Sequence, residues 1–118
     1  MLKIVLIDDD PISTFVTEKL ISKNIKVPCR IFKFQNASDA LKDMASIHPN
    51  YLFLDLNMPE MTGWDFLEEF EPNDYRPEVY ILSSSVDERD INKANNYALV
   101  KSYLSKPLIK KYIKTIFN

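Results

Sequence analysis

Glycine is almost missing. The 118-residue chain holds one, Gly63, where average usage would supply about 7%. A glycine-rich phosphate loop or dinucleotide fingerprint is therefore excluded. Cysteine also occurs once, so no intramolecular disulfide can form, and Cys29 reads as a small buried hydrophobe. No apolar run approaches the ~20 residues of a membrane span, and Met1-Leu2-Lys3 opens no signal peptide. The cytoplasm is the expected compartment, with no membrane contact. The formal net charge of -2 leaves no basic footprint for nucleic acid.

What is present suits one globular unit. Hydrophobic residues make up 46% of the chain, enough for a core, and the length fits a single domain over residues 1–118. Leu2 to Ile7 is a short apolar run that predicts a first strand, ending in Asp8-Asp9-Asp10-Pro11. Asp10 suits a helix cap and Pro11 a first helical turn. Ile12, Phe15, Val16, Leu20 and Ile21 recur at helical spacing to about Ser22, which predicts a helix. Cys29 to Phe34 alternates as a second strand. Asn36 to Asp39 opens a second helix, with Ala40, Leu41 and Met44 inward, and His48-Pro49-Asn50 breaks it.

Tyr51 to Asp55 reads as a fully buried parallel strand that delivers one carboxylate to a sheet edge. Pro59 then turns the chain away. Gly63 is expected to adopt a conformation that other residues resist. A third helix is predicted from about Trp64 to Phe70, and a fourth strand from Val79 to Leu82, stopping at Ser83-Ser84-Ser85. A weak fourth helix runs from Asp87 to Lys93 or Ala94, with Asn95-Asn96 as a left-handed stop. Ser102 to Leu104 forms the fifth strand, and Leu108 to Ile116 the last helix. Strand then helix, five times over, predicts an α/β fold with a doubly wound parallel sheet covered on both faces. Ligands of such sheets bind beyond the carboxyl ends of the strands.

The polar residues fall at those ends. Asp8 and Asp9 follow strand one, Asp55 strand three, Ser83 strand four and Lys106 strand five. Three carboxylates on one rim repel, by roughly 3 kcal/mol per pair at ~5 Å and an effective dielectric of about 20. A divalent cation removes that penalty, and oxygen ligands with room for water suggest Mg2+. Lys106 suits a phosphate oxygen, and Ser83 offers a hydroxyl. Such a set converges on a phosphoryl group. Asp55, central and single, is the best nucleophile, and its carboxylate would form an acyl phosphate.

From end to end the chain resembles the receiver domain of two-component response regulators, and its chemotaxis-regulator-like single-domain members in particular. The resemblance rests on Asp8-Asp9, Asp55, Met58-Pro59 with Gly63, Ser83, Tyr103 and Lys106-Pro107, in order and suitably spaced. It implies a flavodoxin-like five-stranded sheet in the order 2-1-3-4-5. It implies that Asp55 takes a phosphoryl group from a phosphohistidine on a sensor histidine kinase or histidine phosphotransfer protein. Asp9 and Asp55 would bind Mg2+ through side chains and Asn57 through its backbone carbonyl, with Asp8 acting mostly through water. Ser83 and Lys106 would contact the phosphoryl oxygens, and Lys106-Pro107 would be a cis peptide. Phosphorylation would draw in Ser83, let Tyr103 turn inward and reshape the surface of helix four, strand five and helix five for a downstream protein. The protein would be a monomer or a weak dimer, and a switch rather than an enzyme.

Some residues depart from the family pattern. Serine stands at position 83 instead of the commoner threonine, and Ser84 where alanine is frequent. Asn95-Asn96 and the stretch from Tyr97 to Lys101 replace a glycine-containing entry to strand five. A Mg2+-dependent phosphohydrolase would need a general acid two residues after the nucleophile, and Asn57 cannot serve. His48 reads as a helix-terminus residue, not a phosphohistidine relay. Trp64 is expected to pack on its own helix, and Lys110, Lys111 and Lys114 to form a solvated outer face.

Overall fold

The computed structural model describes residues 1–117. Its order is β1 (Leu2–Ile7), α1 (Pro11–Asn24), β2 (Cys29–Phe34), α2 (Ala37–Ile47) and β3 (Tyr51–Leu54), then α3 (Gly63–Glu69), β4 (Glu78–Ser83), α4 (Glu88–Ala94), β5 (Val100–Ser105) and α5 (Lys110–Phe117). All the strand pairings are parallel, in the order β2-β1-β3-β4-β5. This is the doubly wound sheet that the strand–helix alternation predicts, in the flavodoxin-like order that the resemblance implies.

Alternation along the central strands divides the core into two layers. In β1, Val5 and Ile7 join Ala40, Met44, Leu52, Leu54 and Phe66 on the α2–α3 side. Ile4 and Leu6 join Ile21, Phe53, Leu82 and Ile113 on the α1–α5 side. Both faces of β1, β3 and β4 are covered, so each strand reads as a nearly continuous apolar run. Side chains cap the helices as their sequences suggest. Asp10 accepts from the Ile12 amide at 3.0 Å and Asn36 from the Asp39 amide at 2.8 Å. Thr62 and Asp65 form a reciprocal capping box at the start of α3. His48 ends α2 in the left-handed region, φ 51, and its amide donates to the Met44 carbonyl.

The structure corrects several expectations. Helix α1 runs to Asn24 and turns Thr14, Thr17 and Ile21 inward. Ile12, Phe15 and Val16 face solvent instead, Ile12 being 73% exposed. Asn95 is right-handed, φ -66, with its amide donating back into the last turn of α4. Gly63 has no positive φ. Its constraint is space, since a Cβ there would lie 2.5 Å from the Asp55 carbonyl oxygen. Leu108 and Ile109 precede α5 rather than opening it, and Ile109 is exposed. Cys29 is half-buried at the start of the edge strand. Trp64 packs beyond its own helix, stacked on Tyr97 at 5.6 Å with the Lys93 ammonium 4.9 Å from its ring centre. Among the described residues, no helix is long and apolar enough to cross a membrane.

Candidate functional site

Asp8, Asp55 and Lys106 are each held by a hydrogen bond that continues the sheet just past a strand end. The Asp8 amide donates to the Phe34 carbonyl, the Asp55 amide to the Ile7 carbonyl at 2.9 Å, and the Lys106 amide to the Ser83 carbonyl at 2.9 Å. Side chains from β1, β3 and β5 therefore meet over one rim. Asp8, Asp9 and Asp55 each offer a carboxylate oxygen within 4.8 Å of the others. The Lys106 ammonium lies between two of them, 2.7 Å from Asp8 and 3.4 Å from Asp55. The Lys106-Pro107 peptide is cis.

Asp8 and Asp55 are buried, while Asp9 faces solvent. The Asp10 amide donates to Asp8 at 2.9 Å, and the Asn57 amide to Asp55 at 3.3 Å. Burial pushes the Asp55 carboxyl above its ordinary range; Lys106 opposes that shift and Asp8 adds to it. Burial works against charge on Lys106, but its hydrogen bond to Asp8 and the fields of Asp55 and Asp8 together raise its pKa. The pocket thus carries two buried carboxylates, an exposed third and one ammonium. Oxygen-only donors of this charge suit a hard divalent cation.

Ser83 is fully buried at the end of β4, where its hydroxyl oxygen accepts from the Ser85 amide at 3.1 Å. Tyr103 is half-buried in β5, and its hydroxyl donates to the Ser85 carbonyl at 2.9 Å. The Ser85 hydroxyl in turn donates to Asp90 at 3.0 Å. Ser85 is therefore the joint between Ser83, Tyr103 and α4, a part that sequence reasoning missed. Nothing in a run of three serines marks the third as the joint; only the fold puts Tyr103 beside it. Ser84 is exposed. Asn57 is exposed in the turn after Leu56, with its amide on Asp55.

The family model of the response regulator receiver domain matches residues 4–118. The chain belongs to this family. A crystal structure of a two-component response regulator from Cytophaga hutchinsonii superposes with a TM-score of 0.88 at 30% identity, covering 98% of this chain and 93% of that one. Protein PilG of Pseudomonas aeruginosa is 29% identical over 92% of this chain and 79% of its own length. The transcriptional regulatory protein BtsR of Salmonella typhi is 26% identical over 97% of this chain but 46% of its own length. The chain thus spans less than half of that relative. It is the receiver domain of a two-component response regulator, which implies phosphoacceptor signalling.

Proposed function

We propose that residues 1–118 form one Mg2+-dependent switch unit whose phosphoacceptor is Asp55, working in the cytoplasm by protein contact. The observation that carries this is the meeting of Asp8, Asp9 and Asp55 within 4.8 Å, with Lys106 bridging two of them. Asp8, Asp9, Asp55 and the Asn57 backbone carbonyl would hold the ion. When bound, it supplies positive charge that offsets the carboxylates and the arriving phosphoryl oxygens.

In the transfer, a carboxylate oxygen of Asp55 forms a bond to phosphorus while the donor's phosphorus–nitrogen bond breaks. The electron pair returns to the imidazole nitrogen, and an acyl phosphate remains on Asp55. The Asn57 amide orients the attacking carboxylate. Lys106 stabilises the transferred oxygens from the side it already occupies. Ile12 and Val16 expose apolar surface on α1 beside the Lys106–Leu108 loop, which supports docking of the phosphohistidine-bearing partner there.

Ser83 connects the chemistry to the surface. Its hydroxyl, now accepting from Ser85, would turn to donate to the phosphoryl group. That releases the Ser85 backbone on which Tyr103 rests, so Tyr103 can turn inward and alter the α4–β5–α5 face for a downstream protein. Incubation with acetyl phosphate and Mg2+ is expected to add one acid-stable, base-labile phosphate, read by intact mass. Asp55→Asn should gain none; equal labelling of that variant refutes the assignment.

A further inference from the structure

Helix α4 has little to hold it. Of its seven residues only Ala94 is buried, and a helix this short depends on tertiary contacts for its place. Those contacts sit at its two ends. At the far end, the Lys93 ammonium lies 4.9 Å from the Trp64 ring centre, and Tyr97, just past the helix, stacks on the same indole. At the near end, Asp87 caps the helix and Ser85 completes the cap. The Asp87 amide donates to the Ser85 hydroxyl at 3.3 Å, and that hydroxyl donates to the Asp90 carboxylate at 3.0 Å. In a plain capping box the side chain at the position of Asp90 would reach the Asp87 amide itself. Here a serine hydroxyl stands between them.

That hydroxyl belongs to the residue against which Ser83 and Tyr103 rest. The Ser85 amide donates to the Ser83 hydroxyl oxygen, and the Ser85 carbonyl accepts from Tyr103. Every polar group of Ser85 is thus engaged, its backbone on Ser83 and Tyr103 and its side chain on α4. We infer that Ser85 and Asp90 are positioning residues of the switch: their side-chain bond makes the loop after β4 and the first turn of α4 one rigid piece, so that a change at Ser83 and Tyr103 moves the helix. The bond has a charged acceptor, which makes it roughly twice as strong as a neutral one. Its partners are five residues apart, so it travels with the loop instead of breaking. The inference rests on the phosphoacceptor reading above.

The test uses Trp64, the one tryptophan of the chain, which touches the far end of α4 and so reports where the helix lies. Its emission is read before and after treatment with acetyl phosphate and Mg2+, at equal phosphate content by intact mass. The proteins are wild type, Ser85→Ala, Asp90→Ala, the double variant, and Ser85→Thr, which keeps a hydroxyl. Wild-type emission should shift on phosphorylation. Most of that shift should be lost in either alanine variant, and the double variant should lose no more, since both changes remove one bond. Ser85→Thr should retain the shift. Before phosphorylation, emission and circular dichroism should match wild type throughout. A full shift in Ser85→Ala overturns the inference, and so does wild-type emission that full labelling leaves unmoved. Resting spectra already altered in both alanine variants show a helix cap and nothing more, which also overturns it. Wild type that takes up no phosphate sinks the phosphoacceptor reading itself, and the inference with it.

Discussion

Replacing Gly63 by alanine should damage both the fold and the setting of Asp55, although alanine is the better helix former. The added Cβ would stand 2.5 Å from the Asp55 carbonyl oxygen and 2.9 Å from the Leu56 Cα. Both obstacles are backbone, so no side chain can swing aside. Helix α3 would have to retreat from the β3 end by about half an ångström to reach even the 3.0 Å limit of observed contacts. That movement stretches the bond from the Gly63 amide to the Leu56 carbonyl, now 3.0 Å. Overpacking of this sort costs about 1–3 kcal/mol, and backbone partners place it at the upper end. Helical preference returns up to about 1 kcal/mol. A net loss of roughly 2 kcal/mol should lower the melting temperature by about 8 °C in a domain of this size. Urea unfolding followed by circular dichroism measures the loss, and acetyl-phosphate labelling of the folded variant measures the effect on Asp55. Labelling should slow by about tenfold or more, because displaced reacting groups lose rate steeply. An alanine variant as stable and as quickly labelled as wild type would refute the close-approach argument.

Two further outcomes follow from the charges. Lys106→Met leaves Asp8 and Asp55 buried without their counter-ion, so in chelator it should lose about 3 kcal/mol, and added Mg2+ should stabilise it more than wild type; equal losses with and without Mg2+ count against the shared pocket. Burial and the neighbouring Glu78 push the Tyr80 hydroxyl up to about 12, above the ~10 of an unfolded tyrosine, so the native state holds this proton more tightly. The stability it lends is complete below pH 10 and drains away as pH climbs to about 12, which urea midpoints across that range should show and Tyr80→Phe should lessen.

The strands were the readable part of the chain. Buried parallel strands are apolar on both sides, so Ile4–Ile7 and Tyr51–Leu54 stand out as unbroken runs, and the first polar residue after each run is the one delivered to the rim. That is why Asp8, Asp55 and Ser83 could be placed on one edge before any geometry was known. Hydrogen bonds crossing between strand ends, such as Lys106 to Ser83, then convert adjacency in the sheet into adjacency of side chains. Ser85 escaped notice for the opposite reason. Its role depends on a tyrosine that lies 18 residues later in sequence, and no local spacing encodes that meeting.

Helix α1 shows where pattern reasoning fails physically. Its apolar residues invite burial, and periodicity alone assigns Ile12, Phe15 and Val16 to the core. Yet the helix starts at Pro11, capped by Asp10 directly after the acid pair, so its first turns lie over the pocket rather than over the apolar sheet. There the inward positions neighbour Asp8 and Asp55, where hydroxyls can be hydrogen-bonded and methyl groups cannot contribute donors. Two turns further on, beyond the pocket, Ile21 is fully buried among Ile4, Leu6 and Ile113 and the ordinary rule returns. The helix thus changes its inward chemistry along its length, and a single amphipathic period cannot describe it. Of the apolar residues turned outward, Ile12 and Val16 lie beside the Lys106–Leu108 loop, where a surface helix would ordinarily be polar. Burial energy alone does not favour that arrangement. A partner that covers those two residues while it delivers a phosphoryl group would recover the apolar contact only during transfer, so the exposed apolar surface and the inward threonines are two results of one constraint, the placement of α1 over Asp8 and Asp55.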